Sequence, residues 1–161
     1  MEFKRVEKVL NDFADLMVDG YKERLASEGI NASGSLSNSV SAQVELNGTV
    51  FEVSLSLNEY WKYIEDGRLP TKNNGNGELR RNILQWIKAK PVLPKPFEGK
   101  LPTEEQLAYL ISRKIHKEGY EGKEPLKKTF EVVEEMLKDD LTNAFAEDII
   151  EDIEKIIVLY R

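Results

Sequence analysis

The sequence predicts an α+β domain: a small antiparallel sheet, formed by a hairpin at about residues 39–57 plus at least one further strand, packed against an N-terminal helix, mid-chain helices and a long C-terminal helix. Three observations carry this expectation. Asn47-Gly48 separates two runs of alternating apolar and polar residues, the pattern of a tight hairpin. Residues 3 to about 26 set Val6, Val9, Leu10, Phe13, Leu16, Met17 and Tyr21 at spacings of three and four, the stripe of an amphipathic helix. From Pro125 onward, apolar residues recur mostly every four positions over about 35 residues, ~50 Å of helix.

At 161 residues the chain suits a single domain, 1–161, with 126–161 as a long acidic C-terminal helical extension of it. Cysteine is absent, which removes disulfides, thiolate catalysis and Cys-based zinc sites. The opening MEFKRVEKVL has no uninterrupted apolar run, so no signal peptide is expected. No stretch approaches the ~20 apolar residues of a membrane span, so no membrane partner is expected either. Acidic residues outnumber basic ones 29 to 23, and the surplus gathers between Glu131 and Glu154. A chain built to grip nucleic acid concentrates basic residues on one face instead.

Taken in order, the first helix is expected to end at Ser27-Glu28-Gly29, with Gly29 as a left-handed cap. Ile30 to Ser37 reads as turn. With Asn47-Gly48 as the two loop residues, Leu46 pairs with Thr49, Val44 with Phe51, Ala42 with Val53 and Val40 with Leu55, on one face of the sheet. Two strands alone are marginal, so another is expected from the proline-rich region or from a neighbouring subunit. Asn58 is placed to cap a short helix bearing Tyr60, Tyr63 and Ile64. A Gly/Asn loop, 71–77, then leads to a helix from Leu79 to Lys88 with Leu79, Ile83, Trp86 and Ile87 along one side. Four prolines exclude a regular helix over 89–102.

Thr103 to Gln106 fits a capping box, followed by a stripe of Leu107, Leu110, Ile111 and Ile115 that Gly119 closes. The final stripe is Leu126, Phe130, Val133, Leu137, Leu141, Phe145, Ile149, Ile153 and Ile156. Its mean spacing of about 3.75 exceeds the helical repeat, so it drifts; a break near 139–143 and an extended end at 156–158 are both compatible with it.

No motif carries catalysis. His116 ends a helix beside Lys114 and Lys117, where the helix C-terminus favours a cation, and no partner motif for acid–base work accompanies it. Glu65-Asp66 beside Arg68 suggests an acid/base pair or metal site, and a nuclease reading would add Lys62. Adjacent helical residues do not face each other, however, so a solvated helix end or a subunit salt bridge fits better. The acidic series from 131 to 154 lacks the Gly-centred calcium loop and reads as a solvated face. Gly75-Asn76-Gly77 before Arg80-Arg81 lacks both the P-loop ending and the Rossmann spacing. Lys88, Lys90, Lys95 and Lys100 among prolines read as a surface loop. Tyr60, Trp61, Tyr63 and Trp86 fit a core or the centre of an interface equally well. No cofactor and no metal are expected.

One stretch, Tyr60-Trp61-Lys62-Tyr63-Ile64-Glu65-Asp66-Gly67-Arg68-Leu69-Pro70, resembles the Y-x-K-Y-V-E-x-G-T-R-P segment of tailed-bacteriophage head–tail connector and tail-completion proteins of the HK97 gp10-like family. Other pieces follow in the family's order: an N-terminal helix, a serine-rich strand from Leu36 to Val40, Ile83-Leu84-Gln85-Trp86-Ile87-Lys88, Leu110 to Gly119, and Glu124 to Phe130. A single Arg68 stands for the usual Thr-Arg pair, Leu126 for an aromatic, and the acidic C-terminal extension is unmatched. The resemblance implies a non-catalytic structural virion protein, made in the bacterial host cytoplasm and assembled as a homo-oligomeric ring at the neck or tail top. Such a ring joins the portal or adaptor complex to tail proteins while DNA passes through without specific binding. The residues expected to meet neighbouring subunits are Tyr60, Trp61, Tyr63, Glu65, Arg68, Pro70, Asn74 and Trp86. The alternative is a non-virion phage binding module, an assembly chaperone or host-directed inhibitor.

Overall fold

The computed structural model describes residues 3–30, 33–48, 50–72, 77–90, 94, 96 and 101–159, with backbone alone for 157–159. The fold is α+β and mostly helical. Among the described residues ten elements follow in order: α1 (Lys4–Ser27), α2 (Ser35–Ser39), β1 (Ser41–Asn47), β2 (Val50–Ser56), α3 (Trp61–Glu65), β3 (Gly67–Arg68), α4 (Glu78–Ala89), α5 (Glu104–Glu118), β4 (Tyr120–Glu121) and α6 (Pro125–Leu159).

The core forms along α1, which is sandwiched between α6 and the β1–β2 hairpin. Val6, Leu10, Phe13, Ala14, Met17, Tyr21 and Leu25 are all buried, so the stripe read from the sequence is the core face; Leu16, expected on it, is exposed. α1 ends as expected. Gly29 is left-handed at φ 64, its N–H donates to Ala26 and that of Ile30 to Leu25, while Ile30 packs on the cluster containing Leu25. Paired crossing bonds with an apolar clasp define a Schellman stop.

The hairpin forms, but in a register two residues from the expected one. Asn47 pairs with Val50, Leu46 with Phe51, Val44 with Val53 and Ala42 with Leu55. The loop therefore begins at Gly48, whose φ of 68 supplies the positive backbone angle that a two-residue turn needs at its first position. A shift by an even number leaves each side chain on its original face. Val44, Phe51, Val53 and Leu55 still pack on α1 and α6. The new register also sets Glu45 opposite Glu52 on the outer face.

Other expectations need correction. The hairpin remains two-stranded among the described residues; the further strands, β3 and β4, form a separate two-residue ladder. Most of the proline-rich segment expected to supply a strand lies outside those residues. Leu36–Ser39 is helical, not extended, because left-handed Gly34 (φ 75) starts a turn in which Leu36 is buried against Tyr21 and Leu25. Asn58 does not cap α3 with its side chain. Its amide donates instead to the backbone and hydroxyl of Ser35, tying α2 to the end of the hairpin.

α6 is unbroken through residue 159, with neither a break at 139–143 nor an extended end. Its buried line is Thr129, Val133, Ala144 and Asp148, with Leu126, Leu137 and Leu141 half-buried between. That line advances about 3.7 residues per turn, close to the helical repeat. Phe130, Phe145, Ile153 and Ile156, expected in the stripe, lie to one side of this line and are about half exposed, with Phe130 edge-on to Phe13 and Phe145 stacked on Phe3. On α5 the capping box is present in both directions: the Thr103 hydroxyl accepts from the Gln106 N–H, and the Gln106 side chain accepts from the Thr103 N–H. Its buried side is Ala108, Ser112 and His116, so Leu110, expected in the stripe, faces outward.

Candidate functional site

Residues 60–71 do not form a free loop. They are bonded along their length to residues 116–127. Lys123 donates its N–H to the Ile64 carbonyl at 2.9 Å, and Glu124 to that of Glu65 at 3.3 Å. Gly67 pairs with Glu121 and Arg68 with Tyr120. Beyond the ladder, the Thr71 N–H donates to the His116 carbonyl at 2.8 Å, and the Thr71 hydroxyl meets His116 Nδ1. His116 is thus a buried pin between the aromatic turn and α5, beyond the simple helix-end role read from its neighbours.

Glycines make the seam possible. A Cβ on Gly122 would overlap the Glu65 carbonyl, one on Gly67 the Tyr120 carbonyl, and one on Gly119 the Arg68 carbonyl. Gly67 and Gly119 also hold positive φ values, 78 and 68. Two backbones approaching this closely leave no room for side chains between them.

At the centre of the seam is Glu65. Its carboxylate accepts from the Leu126 N–H and the Lys127 N–H, each at 2.9 Å. These are among the first amides of α6, which have no partner within the helix, and a carboxylate there also complements the positive end of the helix dipole. Glu65 is therefore buried and occupied within the chain. Above it, the Tyr21 hydroxyl is buried without a hydrogen-bond partner among the described residues. Burial pushes this phenol up to about 12, with the Glu65 and Tyr60 charges adding to the effect.

The other expected interface residues divide by environment. Trp61 is half-buried, packed with Ile64 against Tyr21, Leu25, Leu36 and Val40. Arg68 is half-buried in β3. Tyr60, Tyr63, Pro70 and Trp86 are exposed, together with Leu69, 83% exposed, and Tyr120 on the partner strand. Burial pushes the Tyr120 hydroxyl up, an effect that Arg68 opposes and Tyr63 reinforces. Asn74 lies outside the described residues. The seam thus presents an outward patch of tyrosines and Leu69-Pro70 on a rigid backbone.

A second carboxylate has the same role at the far end of the molecule. Asp148, within α6, accepts from the Arg5 N–H at 2.9 Å and the Val6 N–H at 3.1 Å, capping α1. The Arg5 guanidinium closes on Asp148 at 3.0 Å, Glu151 at 2.6 Å and Glu147 at 3.2 Å. Burial pushes the Asp148 carboxyl up, but the Val6 N–H, the Arg5 guanidinium and the Arg5 N–H together hold it below its ordinary value. Lys155 and Arg5 hold Glu151 at about 2. Asp148 is thus buried and does not belong to the solvated acidic face expected of residues 131–154. Its place four residues after Ala144, on the line through Leu137 and Leu141, was the available signal.

Among the described residues, no group of His, Asp or Glu is arranged to hold a metal ion, and no helix is long and apolar enough to cross a membrane. No protein-family model matches the chain, and no curated protein or solved structure does.

Proposed function

We propose that this chain is a non-catalytic structural subunit of a tailed-bacteriophage neck, a ring-forming head–tail connector or tail-completion protein that joins the portal or adaptor complex to the tail. One observation carries the reading. Three of the segments that resemble the connector family, 60–70, 110–119 and 124–130, are stitched together by the fold through Glu65, the β3–β4 ladder that lies between the latter two, and Thr71–His116. Distant, individually short motifs thus belong to one structural unit, and this unit carries the exposed Tyr60, Tyr63, Leu69 and Tyr120. Rigid aromatic side chains on a fixed backbone suit a subunit interface, since little conformational entropy is lost when they are covered. In this reading, Tyr60, Tyr63, Pro70 and Trp86 meet neighbouring subunits, while Trp61 and Glu65 hold the platform beneath them. The net charge of −6 keeps passing DNA from adhering to the ring.

Quantitative mass spectrometry of purified virions from the source phage, normalised to portal subunits, tests the reading. A low, fixed ratio matching one closed ring is expected. Absence from mature particles would replace it with an assembly factor or host-directed binder.

A further inference from the structure

A cleft of about 300 Å³ opens between α1 and α6, with Gly20, Glu23 and Arg24 on one wall and Thr129 and Val132 on the other. The two helices are antiparallel: Arg24 bonds Thr129 at one end, and Val6 bonds Asp148 at the other. One turn back along α1 from Gly20 is Leu16, and one turn on along α6 from Val132 is Met136, so the groove continues between these two. Leu16, Val132 and Met136 are 49%, 54% and 59% exposed. The rims are acidic. Asp12 and Asp19 stand four before and three after Leu16, Glu23 lines the cleft, Glu135 follows Val132 by three and Asp139 follows Met136 by three. All five carboxylates are exposed, and none has an ion-pair partner among the described residues. Arg24, the cation that lines the cleft, is engaged within the chain by Thr129, the Lys128 carbonyl and Glu28. We infer that this groove docks a basic amphipathic helix of another protein, whose apolar side chains lie between Leu16, Val132 and Met136 and whose cations meet the five carboxylates.

Sign and shape select this occupant. Nucleic acid, an anionic membrane and a second copy of a chain at −6 all bring the charge that the rims already have. A cationic segment brings the opposite one, and because these carboxylates are unpaired, each new ion pair forms without breaking an old one. Leu16 and Gly20 on one wall, like Val132 and Met136 on the other, repeat at one helical turn, ~5.4 Å, the spacing at which a third helix sets its own i, i+4 ridge. From Asp12 to Glu23 the rim extends ~17 Å, about three turns of such a helix. The apolar strip gives the helix its footing and the carboxylates choose its charge, the division of labour of a helix held in a groove. The docking does not depend on the proposed connector reading, since it is a property of the purified chain.

The probe is a synthetic peptide of about four helical turns, with leucines along one face and lysines at its edges. It is titrated into the full chain while the methionine methyl signals are followed by NMR. Met136 lies in the groove and Met17 in the core. Saturable binding that weakens with salt, and that shifts the Met136 signal while leaving that of Met17 in place, is expected. Leu16→Ser with Val132→Ser, and Asp19→Lys with Glu135→Lys, should each weaken binding about tenfold or more. Glu45→Lys with Glu52→Lys makes the same change of charge on the outer face of the hairpin and should alter binding less than about twofold. A peptide of equal composition with its leucines scattered should bind about tenfold more weakly. No saturable binding, an unmoved Met136 signal, equal binding of the scattered peptide, or equal weakening by the groove and hairpin charge variants would overturn the inference. If the Leu16–Val132 variant loses its circular-dichroism signal, the charge variants and the Met136 shift decide. Absence from virions would remove the connector reading and leave this docking standing, whereas a chain found in virions that binds no such peptide would do the reverse.

Discussion

Glu65 and Leu126 are 61 residues apart in the chain, and the carboxylate of the first accepts the amide hydrogen of the second at 2.9 Å. Through this bond and its twin to Lys127, a residue at the end of a five-residue helix starts a 35-residue one. Glu65→Ala strands two donors at a partly buried helix start. We expect a loss of about 2 kcal/mol in urea unfolding, within the range for charged hydrogen bonds and lost caps, and a smaller loss for Glu65→Gln, which keeps one acceptor.

Asp148 sets the acid limit of stability. Its folded carboxyl lies below its ordinary value of 3.8, so the stability it contributes is present above that value and is lost as pH falls through the folded one. Glu151, held at about 2, acts in the same direction, although solvent weakens its share. Unfolding free energy measured against pH should therefore fall below about pH 4, the unfolded carboxylate range. Asp148→Asn should flatten that fall and cost about 1–2 kcal/mol at neutral pH.

The glycines of similar backbone angle should separate by surroundings. Gly48 and Gly67 have φ values of 68 and 78, but a Cβ on Gly48 meets nothing within 4 Å, whereas one on Gly67 overlaps the Tyr120 carbonyl. Gly48→Ala should cost about 1 kcal/mol for strain alone. Gly67→Ala should cost about 3 kcal/mol or more, since the β3–β4 backbones must also part. Thermal melts of the two variants make the comparison.

Tyr21 has a hydroxyl that is buried without a partner among the described residues. Removing it leaves the packing of the ring intact, so Tyr21→Phe should be neutral or stabilising by up to about 1 kcal/mol near pH 7. The folded phenol titrates at about 12, above its ordinary 10.0, so stability is full below the ordinary value and is lost as pH rises towards 12. Alkaline unfolding curves should show that loss in the wild type and a reduced loss in the variant.

What the sequence determined by itself was local. The Thr103–Gln106 box, the left-handed stop at Gly29, the span of each long helix and the existence of a hairpin all depend on residues a few positions apart, whose propensities act before any tertiary contact. Register was not legible, because an alternating strand looks the same after a two-residue slip; the positive φ at Gly48 and the packing on α1 chose between the alternatives. Nor were the roles of Glu65 and Asp148. A carboxylate reads as surface until a distant segment brings unpaired amides to it, and the N–H groups these two accept lie 61 and 142 residues away. Only the tertiary structure could turn two apparently solvated acids into the caps of the two longest helices, because burying a charge becomes favourable only when its partners arrive with it.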